Sequence, residues 1–323
     1  MRRSLLVVLA LIVALPAAGA LYQTLAVRRG AVRFLPPGRL VDVGGRRLHL
    51  VCIGSGQPAV IFESSVFSSS VSFAAARTEI STHTRVCSYD RMGMAWSDPG
   101  SAIISFGALA DDLERLLDRA GEAPPYILAP SSMGGLVVEL FARRHPERVA
   151  GLVFIDAGHS AVLERFASRV TSRMTTAACL LPVAARLGLI RLFDPLKLGR
   201  DPRDADAIFR LYRAEPMGVI CALVTGLSAS LQEFREAPPL ASDVPLTVLT
   251  AETTEGLFPP GLASDGEVVA REWRDLQQQL SRRSSRGTWR VVPGSTHLIA
   301  GSQPHAVAIA ALDLLGQARH TPR

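Results

Sequence analysis

The chain has 323 residues, of which 48% are apolar and 20% charged, with a formal net charge of +6. That is enough material for one large α/β domain or two small ones around a sizeable core. The positive balance does not read as nucleic-acid binding: the arginines are scattered, no Lys/Arg run exceeds three residues and no aromatic residues alternate with them.

Met1-Arg2-Arg3 is a basic start, followed by an apolar stretch from Leu5 to Leu15 that Pro16 breaks. Ala18-Gly19-Ala20 has the small-x-small form of an export cleavage site. The apolar character continues through Leu21, Leu25 and Val27, long enough to span a bilayer. Residues 1–30 therefore read as a membrane anchor or as a signal peptide, the anchor being favoured. Arg28 and Arg29 blur the charge rule for orientation. Either reading places the body of the chain outside the cytoplasm, and a cleaved segment makes it secreted. Residues 31–38, with Pro36-Pro37-Gly38, read as a linker.

Leu40 to Val43, Gly44-Gly45 and Arg46 to Ile53 read as a hairpin with a Gly-Gly turn. Short apolar strands follow at Ala59 to Glu63 and Val86 to Asp90. Phe106 to Ala120 has helical spacing, with Leu109, Leu113, Leu116 and Leu117 on one face. Tyr126 to Ala129 is a strand, Met133 to Arg144 a helix ended by His145-Pro146, and Val149 to Asp156 a buried strand. Residues 158–241 interrupt the alternation: they are rich in Ala, Leu and Arg, helical in spacing, and broken at Pro182, Pro195 and Pro202. Alternation resumes with a strand at Pro245 to Thr250, a helix near Glu267 to Arg282, a strand at Trp289 to Val292 and a helix from Pro304 to about Leu315. Strands alternating with helices predict an α/β fold with a mostly parallel sheet covered on both faces. The segments 39–157 and 242–318 form its core, and 158–241 a helical lid.

Tyr126 to Leu136, YILAPSSMGGL, is the most informative stretch. An apolar run, two serines, Met-Gly-Gly and a second apolar run describe a strand turning sharply into a helix. Such a turn pushes its apical residue toward left-handed backbone and lifts the side chain clear of the sheet. Gly134, two residues on, sits where helix and strand pass closely, which selects Ser132 over Ser131.

The four cysteines are Cys52, Cys87, Cys179 and Cys221. The first two fall in strands and the last two in the lid, and disulfides are permitted outside the cytoplasm. Four cysteines allow three connectivities, and buried free thiols are equally compatible. There is no CxxC and no metal-ligand spacing, and no cofactor is expected.

Pro130-Ser131-Ser132-Met133-Gly134 resembles the nucleophile elbow of the alpha/beta-hydrolase family, G-x-S-x-G, with proline for the first glycine. Tyr89 to Ser97, YDRMGMAWS, resembles the family's Y-D-x-x-G-x-G-x-S turn, with Ala95 for the second glycine. RHPERVAGLVFIDAG resembles the strand after the nucleophile helix, and VPGSTHLIAGSQPHAV the loop that carries the family's histidine. These motifs fall in family order and cover most of the chain after residue 38. The flavour is that of esterase-like and proline-iminopeptidase-like hydrolases with an N-terminal membrane segment.

The resemblance implies a serine hydrolase. A serine hydroxyl is a weak nucleophile and needs a base, which in turn needs an orienting group. Ser132 is the expected nucleophile and His297 the base. His159, after the Asp156 strand, is a further residue that could line the site. The acid is open: Asp156 ends the strand after the nucleophile helix, whereas Glu255 lies beside the position the family commonly uses, with Glu252 and Asp265 behind. The oxyanion hole is expected from the N–H groups of Met133 and Val66. The loop that carries Val66, ESSVFSSS from Glu63, has none of the family's glycines.

The expected activity is therefore cleavage of an ester or amide acyl group on a small molecule, through an acyl-serine intermediate. Epoxide opening and dehalogenation on this fold want an aspartate at the elbow, and Ser132 argues against them. The second reading is a non-catalytic homologue acting as a binding protein, motivated by Pro130, Ala95 and the glycine-free loop. The lid's Leu180, Leu181, Leu187, Leu189, Ile190, Leu192 and Phe193 are expected to line an apolar pocket or to pack the lid.

Overall fold

Short runs of alternating apolar residues that end in turn signals become strands here. Those strands are β1 (Arg39–Asp42), β2 (Arg47–Ile53), β3 (Ala59–Glu63), β4 (Val86–Tyr89), β5 (Tyr126–Pro130), β6 (Val149–Ile155), β7 (Leu246–Ala251) and β8 (Gly287–Val292). This computed structural model describes residues 2–195, 205–257 and 266–320. The strands form an eight-stranded sheet in the order β1-β2-β4-β3-β5-β6-β7-β8. β1 and β2 are a hairpin, β2 runs antiparallel to β4, and every pairing from β4 to β8 is parallel.

The helices are α1 (Arg2–Arg33), α2 (Ala74–Ile80), α3 (Phe106–Ala120), α4 (Gly134–Arg144), α5 (Ser160–Ala167), α6 (Ser172–Arg186), α7 (Leu189–Phe193), α8 (Ala205–Leu211), α9 (Ala214–Thr225), α10 (Leu227–Glu236), α11 (Gly266–Ser281), α12 (Ile299–Ser302) and α13 (Pro304–His320). Strand side chains alternate between two cores, as a parallel sheet covered on both faces requires. Tyr126, Leu128, Leu152 and Phe154 point into the layer with α3 and α4. Ile127, Ala129, Val153 and Ile155 point into the layer with α2 and α13. Helix α3 shows why the pattern holds locally: Ser105 Oγ accepts from Ala108 N at 3.1 Å at its start, and Gly121 closes its end at φ +77°.

Helices α5 to α10 lie between β6 and β7. The cysteines pair between neighbouring elements: Cys52 with Cys87 across the β2–β4 register, and Cys179 with Cys221 between α6 and α9.

Two expectations about the N-terminus change. Pro16 does not break the apolar stretch; α1 runs through it, because an exposed helix carries one lost backbone hydrogen bond without further disruption. The helix also continues into the expected linker as far as Arg33. Its stretch Arg3–Arg33 is long and apolar enough to cross a membrane, with mean hydropathy 2.6. The lid's apolar residues also differ from expectation. Leu180, Leu189, Leu192 and Phe193 are exposed, Leu181 and Leu187 half-buried, and Ile190 is buried.

Candidate functional site

Strand β5 ends at Pro130, and the chain turns through Ser131 to Met133 into α4. Pro130 forgoes one ladder donor at the strand end. The two serines close the sheet on both sides: Ser131 N–H donates to Glu63 O at 2.9 Å and Ser132 N–H to Ile155 O at 3.2 Å. Ser132 stands at φ +50°, left-handed backbone that costs a non-glycine residue about 1–3 kcal/mol. Gly134 is required by what passes over it: a Cβ there would meet Ser64 O at 2.7 Å and Glu63 O at 2.8 Å. A Cβ on Gly135 would meet Gly158 O at 2.2 Å. The turn is thus clamped between the loop after β3 and the loop after β6.

Ser132 Oγ lies 2.8 Å from His297 Nε2, and His297 Nδ1 lies 2.6 Å from Asp156 Oδ2. The second oxygen of Asp156 accepts from Ala251 N–H at 3.0 Å and from Trp273 Nε1–H at 2.9 Å. Asp156 and His297 are buried, and Trp273 also sets its ring edge-on to His297 with centroids 5.8 Å apart. Asp156 is itself in left-handed backbone at φ +44°. With Nδ1–H donated to Asp156, Nε2 presents its lone pair to the Ser132 hydroxyl. That is the arrangement a general base needs to take the proton from an attacking oxygen.

Of the acids considered, Asp156 is the one brought to His297. The Glu255 side chain is exposed, and what the residue gives the site is its backbone: His297 N–H donates to Glu255 O at 2.9 Å. Glu252 Oε2 accepts from Gly294 N–H at 2.7 Å in the same turn, bracing the loop without reaching the imidazole. Asp265 lies outside the described residues. The site therefore takes its carboxylate from the end of β6, and the loop after β7 only props the histidine.

Met133 and Val66 flank the elbow on the α4 and β3 sides, both partly buried. Neither backbone N–H donates to a described group. The glycine-free loop is held from beneath by Arg91, a residue whose part the sequence did not disclose. Its buried guanidinium pairs with Glu63 and donates to Ser64 O at 2.5 Å and Ser65 O at 2.6 Å. Tyr89 donates to the other oxygen of Glu63. Burial pushes the Glu63 carboxyl above its ordinary value, against the pull of Arg91. Ala95, where the resembling motif has glycine, sits at φ +40°, which explains the usual preference there.

His159 does not line the site with a free ring. It is buried, its Nε2 reaches Leu276 O at 3.1 Å and its Nδ1 faces Arg283 at 3.3 Å. Burial and then the Arg283 charge lower its pKa to about 3. The folded state thus binds a proton less readily than the unfolded one, whose histidine titrates near 6.5. Stability from this group is complete above pH 6.5 and drains away as pH falls toward 3. Between pH 6.5 and 4.5 the loss is on the order of 2 kcal/mol. His159→Gln, which keeps a donor for Leu276 O and does not titrate, is expected to flatten that part of the curve. Urea midpoints measured across this window check it.

A family profile described as alpha/beta hydrolase fold matches residues 58–178. An uncharacterised protein of Schizosaccharomyces pombe is 31% identical over 226 residues, an alignment spanning 68% of this chain and 38% of that protein. The chain thus spans less than half of that relative's length. A thermophilic esterase from Thermogutta terrifontis superposes with TM-score 0.61 at 21% identity, covering 88% of this chain and 99% of that one. An epoxide hydrolase from Solanum tuberosum superposes with TM-score 0.65 at 16% identity, covering 86% and 98%.

Proposed function

This chain belongs to the alpha/beta-hydrolase fold family, and from that premise we propose that it is a serine hydrolase cleaving an ester or amide acyl group on a small molecule. The observation that carries the proposal is the unbroken hydrogen-bonded line from Ser132 Oγ through His297 to Asp156, at 2.8 and 2.6 Å. In this reading His297 takes the Ser132 proton as Oγ attacks the acyl carbon. The same imidazolium then protonates the leaving alkoxide or amine, and water repeats the sequence to release the acid. The N–H groups of Met133 and Val66, which donate to no described group, receive the oxyanion. The esterase and the epoxide hydrolase among the structural neighbours both support the fold alone, and a serine at the apex favours acyl transfer over epoxide opening. Residues Arg3–Arg33 serve as a membrane anchor, with the hydrolase outside the cytoplasm.

The test is hydrolysis of p-nitrophenyl esters of increasing acyl length, with fluorophosphonate labelling of the same preparation. Turnover together with labelling supports the proposal. Absence of both from folded protein would transfer the weight to a binding role.

Arg91 is a positioning residue in this scheme, because it holds the two carbonyls that aim the Val66 N–H. Arg91→Lys keeps a buried positive charge for Glu63 and loses the fork that grips Ser64 and Ser65. A misplacement near 1 Å costs about 10²-fold in rate, so kcat is expected to fall by roughly that factor with KM little changed. Equal loss in kcat and gain in KM, or no loss in folded enzyme, would remove the loop from the oxyanion hole.

A further inference from the structure

Helix α1 is free along its first half and docked along its second. Residues 3–18 are exposed, and then Gly19, Gln23, Gly30 and Phe34 recur at helical spacing on one side and meet the body. The contacts are close. A Cβ on Gly19 would lie 2.3 Å from Leu187 O, and one on Gly30 would lie 2.2 Å from the Phe209 ring. Gln23 donates to Tyr212 O at 2.7 Å and accepts from Arg191 Nε at 3.0 Å. Phe34 stacks on Phe209 with centroids 5.6 Å apart. The helix is therefore fixed to the lid, and it leaves the body at the corner where α6 turns into α7.

That corner carries unpartnered apolar faces. On α6, Leu180 and Val183 lie on the same face as Leu187, at i, i+3 and i+7, and are 59% and 47% exposed. On α7, Leu189, Leu192 and Phe193 lie to one side of buried Ile190, and Leu192 and Phe193 are 71% and 75% exposed. Length decides what covers them. The free residues 3–18 make about 24 Å of helix at about 1.5 Å per residue. The hydrocarbon core of a bilayer is about 30 Å thick and takes about 20 residues, more if the helix tilts. A span that starts in the first turn must then use Gly19 to Tyr22 as well, and of these Gly19 and Tyr22 lie against Leu187 and Gly188. Tyr22, half-exposed at this level, is an interfacial residue type.

We propose that the α6–α7 corner of the lid rests in the interface of the bilayer that holds α1, with Leu180, Val183, Leu189, Leu192 and Phe193 as its membrane-contacting residues. The proposal builds on the reading of α1 as a retained anchor. It makes the lid a membrane-bound element, so that the anchor fixes the orientation of the hydrolase body as well as its location.

The described cysteines are all paired, so one added cysteine is a unique labelling site in the full-length chain. Leu9→Cys, Leu192→Cys, Phe193→Cys and Ile309→Cys are each labelled with an environment-sensitive nitrobenzoxadiazole dye. The proteins are reconstituted in phosphatidylcholine–phosphatidylglycerol vesicles, with and without spin-labelled lipid. Residue 9 reports the anchor, 192 and 193 the lid corner, and 309 the remote helix α13. The expected result is blue-shifted emission, several-fold brighter and quenched by spin-labelled lipid, at 9, 192 and 193 but not at 309. Quenching at 9 alone overturns the lid contact and leaves the anchor standing. Absence of quenching at 9, 192 and 193 overturns the anchor reading, and the lid contact with it.

Discussion

Ser132→Ala is expected to lower ester turnover by about 10⁶-fold and to abolish fluorophosphonate labelling, without unfolding the protein. The magnitude follows from the division of labour. In the proposed mechanism every proton that His297 moves depends on the attack of Ser132 Oγ, so removing that oxygen idles the whole line, and what survives is oxyanion stabilisation and binding. The fold is expected to persist because the strain at φ +50° belongs to the backbone and Cβ, which alanine retains. The lost hydrogen bond to His297 lies at a partly exposed position where water substitutes. Ser131→Ala is the matched control: Ser131 is buried and its backbone, not its hydroxyl, ties the sheet to Glu63. Thermal midpoints of both variants within a few degrees of the parent, with activity lost only from the first, make the comparison clean. Activity lost from the Ser131 variant instead would relocate the nucleophile.

The elbow was legible because its signal is local. A strand, a strained serine and two glycines within eleven residues leave few conformations, and Gly134 and Gly135 occupy the two places where no Cβ fits. The strands β5 and β6 and the apolar face of α3, with Leu109, Leu113, Leu116 and Leu117, were legible for the same reason. What stayed open was decided across distance. Asp156 and His297 are 141 residues apart, and only the register of β6 beside β7 puts one carboxylate at the imidazole and leaves Glu255 in solvent. Arg91 looked like a filler position in its motif, because the loop it grips lies on another strand. Trp273 fell unremarked inside the helical stretch near Glu267 to Arg282, and its indole N–H gained meaning once α11 had packed beside β7. The cysteine pairings needed the β2–β4 register and the α6–α9 contact. The docking stripe of α1 was hidden because Gly19 and Gly30 are chosen for close approach, and a glycine in an apolar helix looks the same whether it faces lipid or protein.

Asp156→Asn is expected to lower kcat by about 10⁴-fold with KM nearly unchanged. An amide replaces the carboxylate at nearly the same volume, so the effect turns on which way it points. Ala251 N–H and Trp273 Nε1–H both donate to Oδ1. Two donors hold the amide oxygen at that position and turn the amide nitrogen toward His297 Nδ1. The imidazole must then accept at Nδ1 and carry its proton on Nε2, the atom that faces Ser132. A protonated Nε2 cannot take the serine proton, so the defect is a wrong tautomer in an otherwise intact site. Glu255→Gln tests the competing acid. Its side chain is exposed and its carbonyl, which holds the His297 N–H, survives the substitution, so kcat is expected within about twofold of the parent, as for other exposed changes away from a site. The pair separates the two carboxylates by four orders of magnitude in one measurement of kcat against p-nitrophenyl acetate. The reverse pattern, with Glu255→Gln inactive and Asp156→Asn near parental, would require the loop after β7 to swing its acid inward during turnover.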